Sequence, residues 1–383
     1  MDIHVVIGAN YGDEGKGLVT NYLSSKYTNG IIVLNNGGAQ RGHTVETQSG
    51  FHHVFHHFGS TTNPNFISYC SEFFIINPLV WKKEFEELNN KYIFPSLYIH
   101  PDCKVSTPYD MMLNQLVELN RGENRHGSCG IGIWETLQRH KEIPLTFSQV
   151  LKFNEGDITS LENKLLIYFK KKLEEYRIDK TLLASFLEGI NFQGLFNNFI
   201  YDLFTMSKIC HTAKLSDLCF SKTETIIIEN GQGLLLDNSA DAVHSTPSNT
   251  GLTNVKTILD GVNYSSITAC YISRTYLTKH GAGNFPGECD KNNISNLIGE
   301  DKTNHPNDYQ GSLRFANLNV EDLISRIKND NSIESTKSLF LPHCNEVEKE
   351  KVEEFKNILL NSSTIDKLYI SYDYFTAVGI TSI

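Results

Sequence analysis

The sequence predicts an α/β protein with a mainly parallel central sheet flanked by helices, and three observations predict it. Short apolar runs alternate with segments of helical periodicity through most of the 383 residues. That is the order a parallel sheet needs, because each crossover lays a helix on a sheet face. The first apolar run leads through a glycine-rich stretch into a helical pattern, the layout of a phosphate cradle. The least regular segments, 120–160 and 281–318, are long loops of the kind that build a site on such a sheet.

The elements follow in chain order. His4 to Ile7 is a strand ending at Gly8, and Leu18 to Tyr27 has helical spacing. Ile31 to Leu34 is a second strand, running out into Asn35-Asn36-Gly37-Gly38. Asn77-Pro78 opens a helix with a capping side chain and a proline in its first turn. Leu97 to Ile99 is a strand and Tyr109 to Leu119 a helix. Leu161 to Tyr176 is an amphipathic helix with Lys and Glu on its outer face. Ile226 to Ile228 and Ile267 to Ile272 are buried-type strands. Val320 to Ile327 is helical, Leu339 to Leu341 a strand, Glu346 to Leu360 a charged helix, and Leu368 to Ile370 a last strand. No repeat or interdomain linker interrupts them. The expectation is one domain over 1–383 with two loop-rich subdomains, at about 120–160 and 281–318.

Composition narrows the function classes. The formal net charge is -10, against a duplex nucleic-acid surface, which needs a basic face. No apolar run approaches the roughly 20 residues of a membrane helix, and no signal-peptide pattern opens the chain. None of the eight cysteines pairs at CxxC spacing, so they read as reduced thiols of a cytoplasmic protein rather than a zinc site. The run His52-His53-Val54-Phe55-His56-His57 suggests a metal site, but in a strand neighbouring histidines point to opposite faces.

The sharpest motif is Gly12-Asp13-Glu14-Gly15-Lys16-Gly17, directly after the first strand. Glycines allow close backbone approach to a phosphate, and the helix N-terminus and Lys16 add positive potential. Leu18 follows Gly17, so the Walker A spacing fails. Asp13 is unusual in such a loop, because a carboxylate repels phosphate unless it binds a cation or handles a proton.

The loop GDEGKG resembles the signature of adenylosuccinate synthetases, which have a P-loop-NTPase-like fold. Four further blocks are similar to that family's in the same order: Gly37-Gly38-Ala39-Gln40-Arg41-Gly42-His43-Thr44, Glu229-Asn230-Gly231-Gln232-Gly233, Ser245-Thr246-Pro247-Ser248-Asn249-Thr250 and Gly281-Ala282-Gly283-Asn284-Phe285-Pro286. The resemblance implies a ligase that phosphorylates a purine 6-oxygen with a nucleoside triphosphate and lets the amine of L-aspartate displace the phosphate. It implies that Asp13 takes the N1 proton, His43 stabilises charge on the oxygen and the γ-phosphoryl, and Lys16 assists. Asp13 and the Gly42 carbonyl would hold Mg²⁺. Gly12, Gly15, Lys16, Gly17, Gly42, Thr44 and Asn345 would line the triphosphate side. Asn36, Gln40, Ser128, Gln232, Thr246 and Arg139 would line the purine-nucleotide side, with Ser128 and Thr246 on the 5′-phosphate. Gln310, Ser312 and Arg314 would face the amino acid, with Arg274 and Lys279 as further cations. In the family an arginine beyond the GIG segment reaches the neighbouring subunit's substrate, which makes Arg139 the candidate and a homodimer the expectation.

Departures from the family pattern leave choices open. Tyr11 replaces a tryptophan, Gln40 an asparagine, and the arginine-rich loop keeps only Arg314. The guanine-reading carboxylate falls at Asn345, an amide, which weakens GTP as donor against ATP. Glu346 or Glu348 would have to read guanine instead. The acceptor is IMP or, as in a short viral offshoot of the family, dGMP; retained Asp13 favours the first, chain length and Asn345 the second. A nucleotide sensor without turnover is the competing class, and intact Asp13, Lys16, His43 and Gln232 argue against it.

Overall fold

The computed structural model describes residues 1–219, 222–237, 247–300, 311–373 and the backbone of 381–382. Its main sheet uses β1 (Asp2–Gly8), β2 (Gly30–Leu34), β3 (Phe66–Cys70), β4 (Leu97–Ile99), β5 (His211–Thr212), β6 (Thr225–Gly233), β7 (Ser266–Ile272), β8 (Thr336–Leu341) and β9 (Lys367–Ile370). All are parallel to their neighbours, in the order β5-β4-β3-β2-β6-β1-β7-β8-β9. A short strand, Thr381–Ser382, pairs antiparallel with β9 at the edge. The parallel α/β sheet that the alternating pattern predicts is therefore present.

Its central strands are buried on both faces, which is why they read as continuous apolar runs. Alternate residues separate into two cores as the pleat requires. Val6, Ile32, Leu34 and Ile227 enter one; Val5, Ile7, Ile31, Val33, Ile226 and Ile228 enter the other. The first core is covered by α1 (Lys16–Ser24), α2 (Pro78–Asn90), α3 (Pro108–Arg121), α5 (Glu155–Glu175) and α6 (Phe192–Ile209). The second is covered by α7 (Val320–Asn329) and α8 (Lys349–Leu360). One further helix, α4 (Ile133–Glu142), packs against α3.

Sequence and structure differ at several places. The segment 120–160 is not loop throughout: α4 and the start of α5 lie in it, with a short helical turn over Phe147–Val150 between them. Asn154 caps α5 in a reciprocal capping box with Asp157, so that helix starts well before its first buried leucine, Leu161. The charged helix expected from Glu346 starts at Lys349, after a separate turn over Cys344–Glu346. All eight cysteines are free, five of them buried.

Candidate active site at the carboxyl ends of β1, β2 and β6

Strand order reverses beside β1. The chain crosses from β1 over β6 to β2, and later from β6 over β1 to β7. A crevice opens at the carboxyl ends of strands at such a switch point, and three of the sequence blocks sit there. GDEGKG follows β1, the Gly37–Thr44 block follows β2, and Glu229–Gly233 ends β6. They line a cleft of about 1460 Å³.

The first loop is held by its own acid. Glu14 is buried, and its Oε1 accepts the Asn10 and Gly12 amides at 3.1 and 2.9 Å. Its Oε2 lies 3.1 Å from Lys16 Nζ. From across the cleft, Arg274 Nε donates to the Asp13 carbonyl at 2.8 Å and Thr278 Oγ1 to the Gly12 carbonyl at 2.8 Å. Asp13 itself has φ 60°, in the left-handed region. That strained geometry is typical of functional positions. Its carboxylate lines the cleft, 3.5 Å from His280 Nε2. Gly12, Gly15 and Gly17 line it too, but the glycines serve different ends. A Cβ on Gly12 would meet open space, whereas one on Gly17 would strike the Thr44 carbonyl. Gly17 thus lets α1 close against the strand that carries His43.

His43 begins a hairpin of His43–Glu46 with His52–Phe55. Its Nδ1 donates to Glu229 Oε1 at 2.6 Å, while Nε2 is buried without a partner on the cleft wall. Burial, then the Arg41 guanidinium, push the imidazole down to about 3 against the pull of Glu229. Glu229 is wholly buried, and its other oxygen accepts Arg41 Nη2 at 2.8 Å. Burial opposes ionisation of Glu229, but Arg41 and His43 hold it well below the carboxylate range. Arg41 is thus the buried partner of Glu229, bonded also to Ser60 Oγ at 3.1 Å. Glu14, Glu229 and His280 are the site residues that motif reading did not single out. Both glutamates lie inside quoted blocks, and their burial in a charged environment is a tertiary fact.

The histidine run turns its buried members the other way. Glu84 of α2 accepts the His56 and His57 amides at 2.9 and 2.6 Å and faces the rings of His53 and His57 at 3.7 and 3.8 Å. Among the described residues no group of three or more His, Cys, Asp or Glu is arranged to hold a metal.

On the second wall, Gln40 is held with both amide atoms buried and unpartnered. Gln232 and Ser128 line the cleft beside it, Ser248 Oγ donating to Gln232 Oε1 at 3.0 Å and Ser128 Oγ to Asn114 Oδ1 at 3.1 Å. Thr44 and Gly42 complete this side. Asn36 is buried behind it and does not line the cleft. It joins the blocks, accepting the Gly231 amide at 2.8 Å and donating to the Asn249 carbonyl at 2.7 Å.

Other expected site residues are placed elsewhere. Arg139 is fully buried and saturated by Asp110 at 3.0 Å and the carbonyls of Ile143 and Val105. It faces neither the cleft nor the protein surface. The Arg314 guanidinium is occupied by Glu288 and the carbonyls of Gly281 and Gly283, off the cleft wall, and Ser312 is exposed. Arg274 and Lys279, the two further cations, both line the cleft, Lys279 buried and 3.1 Å from the Asn284 carbonyl. Asn345 lies behind the wall, while its neighbours His343 and Glu346 line the cleft. Thr246 and Gln310 lie outside the described residues.

The donor set fits a hard cation in part. Asp13 offers a carboxylate that is 23% exposed, and Gly42 lines the same cleft. One carboxylate and carbonyl oxygens, with phosphates supplied by the ligand, suit Mg²⁺ better than Zn²⁺.

No described helix is long and apolar enough to cross a membrane. A profile of the adenylosuccinate synthetase family matches residues 5–307. The adenylosuccinate synthetase of Mycobacterium avium (strain 104) is 26% identical over 299 residues, covering 75% of this chain and 65% of the relative. That of Limosilactobacillus reuteri is 26% identical over 302 residues with the same coverage. The matched region thus spans about two thirds of the length of these relatives. Two solved structures share the fold. The fully ligated adenylosuccinate synthetase of Plasmodium falciparum superposes with a TM-score of 0.69 at 18% identity, over 91% of this chain and 78% of its own. The cyanophage S-2L succinoaminodeoxyadenylate synthetase, bound to dGMP and dATP, gives 0.65 at 13% identity, over 99% of this chain and 95% of its own. With three of the motif blocks gathered at one switch point and a family profile covering most of its length, this chain belongs to the adenylosuccinate synthetase family.

Proposed function

We propose that this chain joins L-aspartate to C6 of a purine nucleoside monophosphate through a 6-phosphoryl intermediate, at the expense of a nucleoside triphosphate. The observation that carries the reading is the convergence of Asp13, Lys16, His43, Gln40 and Gln232 on one cleft. Asp13 abstracts the N1 proton, for which a base must lie within hydrogen-bond reach. Glu229 fixes the His43 ring so that Nε2 points at the transferring phosphoryl group. To donate there His43 must carry protons on both nitrogens, and an adjacent phosphate supplies the negative charge that favours this. Gln40 offers its unpaired amide to the acceptor's phosphate and Gln232 its amide to the base. Lys16 takes the donor's phosphates, and Lys279 the carboxylate of aspartate. Mg²⁺, held by Asp13 and the Gly42 carbonyl, would neutralise charge on the triphosphate.

IMP is the acceptor on this reading, and an adenine nucleotide the donor. Glu346 is not free to read guanine, because its oxygens already face Arg274 at 3.0 Å and His343 at 3.3 Å, with Tyr276 bonded as well. Burial works against it, but His343, Arg274 and Tyr276 hold its carboxyl down at about 2. A second reading, dGMP as acceptor, has support from the cyanophage enzyme, whose bound ligands are dGMP and dATP and which superposes over 99% of this chain and 95% of its own. Phosphate release with IMP, GMP or dGMP, each with ATP or GTP and aspartate, tests both. Release that requires a purine monophosphate and aspartate is expected; none in any combination rejects the ligase.

A further inference from the structure

The lobe of the cleft around Ser128 holds a carboxyl group that the proposed chemistry leaves unused. Glu135 lies in the first turn of α4, 3% exposed, and lines the cleft. Its Oε1 accepts Asn114 Nδ2 at 3.3 Å, and Asn114 Oδ1 accepts Ser128 Oγ at 3.1 Å and the Gly132 amide at 3.4 Å. Its Oε2 is buried and has no partner. The two acids facing it from α3 are already matched. Asp110 pairs with Arg139 at 3.0 Å, and Glu118 pairs with Arg121 at 2.9 Å and accepts the Gly127 amide at 2.8 Å. The other titratable groups that feel its charge are held neutral. Burial raises the Tyr176 hydroxyl, and it pushes the Cys129 thiol up to about 11.

An ionised Glu135 would exchange full hydration for one side-chain hydrogen bond among acids, which is costly. Burial pushes its carboxyl up to about 7, with Asp110 and Glu118 adding to it, although its own amide and Asn114 pull the other way. The N-terminus of a ten-residue helix beside a glycine turn favours one anion. A carboxylate and a phosphate dianion in that lobe would repel each other, whereas a neutral carboxyl can donate its O–H.

We propose that Glu135 couples binding of a purine nucleotide's 5′-phosphate to uptake of one proton. The proton comes from solvent, resides on Oε2, and leaves when the nucleotide leaves. Neutral Glu135 donates into the phosphate lobe. This rests on the reading of Ser128 as a phosphate ligand, and Glu135 is a specificity residue for a phosphorylated over an unphosphorylated ligand.

The test is calorimetric titration of the full chain with IMP and with dGMP, without donor, in buffers of different ionisation enthalpy. A phosphate monoester is already dianionic at pH 8, its second pKa being about 6. At that pH the wild type should take up close to one proton more per nucleotide than Glu135→Gln. Its Kd should weaken by about tenfold per pH unit above 7, while that of Glu135→Gln stays nearly flat. Inosine, which has no phosphate, should bind without the extra proton. Should Glu135→Gln fail to fold, the wild type's difference between IMP and inosine decides instead. Trp134, half-exposed beside Glu135 on the cleft wall, gives an independent fluorescence signal of binding. Equal proton uptake by the wild type and Glu135→Gln, or by IMP and inosine, overturns the proposal and leaves the ligase reading standing. Failure of both nucleotides to bind overturns the two together.

Discussion

At the scale of single residues, the chemistry depends on charges that hold one another in place. His43 reaches the cleft because Glu229 grips its Nδ1, and Glu229 remains a buried carboxylate because Arg41 pairs with its second oxygen. Glu229→Gln should therefore act twice. It strands the Arg41 charge, at about 3–5 kcal/mol, and it frees the His43 ring. Adding Arg41→Met should restore most of the melting temperature but not turnover. Recovery of both would reduce Glu229 to a structural role. Asp13→Ala and His43→Ala should each lower turnover by roughly a hundredfold or more with the fold intact. Near-normal rates in a steady-state assay would remove that residue from the mechanism.

At the scale of elements, close approach and buried acids do what a motif does not state. Gly17 looks like part of a phosphate cradle, yet its missing side chain makes room for the Thr44 carbonyl. Gly17→Ala should lower stability through backbone displacement between α1 and the His43 hairpin, visible as a lower melting temperature before any effect on ligand affinity. The histidine-rich hairpin is joined to α2 by Glu84. Burial opposes its ionisation, but His53, His57 and two backbone amides hold the carboxyl down at about 2, below its usual 4.5. A depressed carboxylate stabilises the fold above about 4.5, and that contribution disappears as pH falls toward 2. His57, whose pKa burial lowers, adds to acid sensitivity because it prefers to protonate unfolded. Glu84→Gln should be less stable at pH 7 by about 1–3 kcal/mol and lose less on acidification. Identical pH–stability curves for the two proteins would show that Glu84 is not the sensitive group.

At the scale of the whole molecule, the sheet brings distant segments to one crevice. The donor's base is expected on the wall that carries His343 and Glu346, where the family's guanine-reading acid has no free counterpart. An amide such as Asn345 cannot accept both guanine N–H donors, and Glu346 is already engaged. Competition between equal ATP and GTP should favour ATP by about tenfold or more, since one unpaired buried donor costs about 1–3 kcal/mol. A clear preference for GTP would show that another acid reads the base.

The sequence by itself determined the parallel α/β architecture and the glycine-rich loop that lines the cleft. Apolar runs, turn glycines and helix caps are local properties, and Asp13, Lys16, His43, Gln40 and Gln232 lie within contiguous motifs. It missed α4 and α6, the first within a stretch that read as loop. It could not show that the Arg139 and Arg314 guanidiniums are engaged within the chain, because a free guanidinium and one bound by Asp110 or Glu288 look alike until the neighbours are known. Tertiary structure alone decided which charges are spent on the fold and which remain for ligands. The pairs Arg41–Glu229 and Asp110–Arg139 join residues from different segments of the chain, and Glu135 meets Asn114 of another helix with its Oε2 left over. Which groups meet, and how deeply they are buried, is a property of packing, not of spacing along the chain.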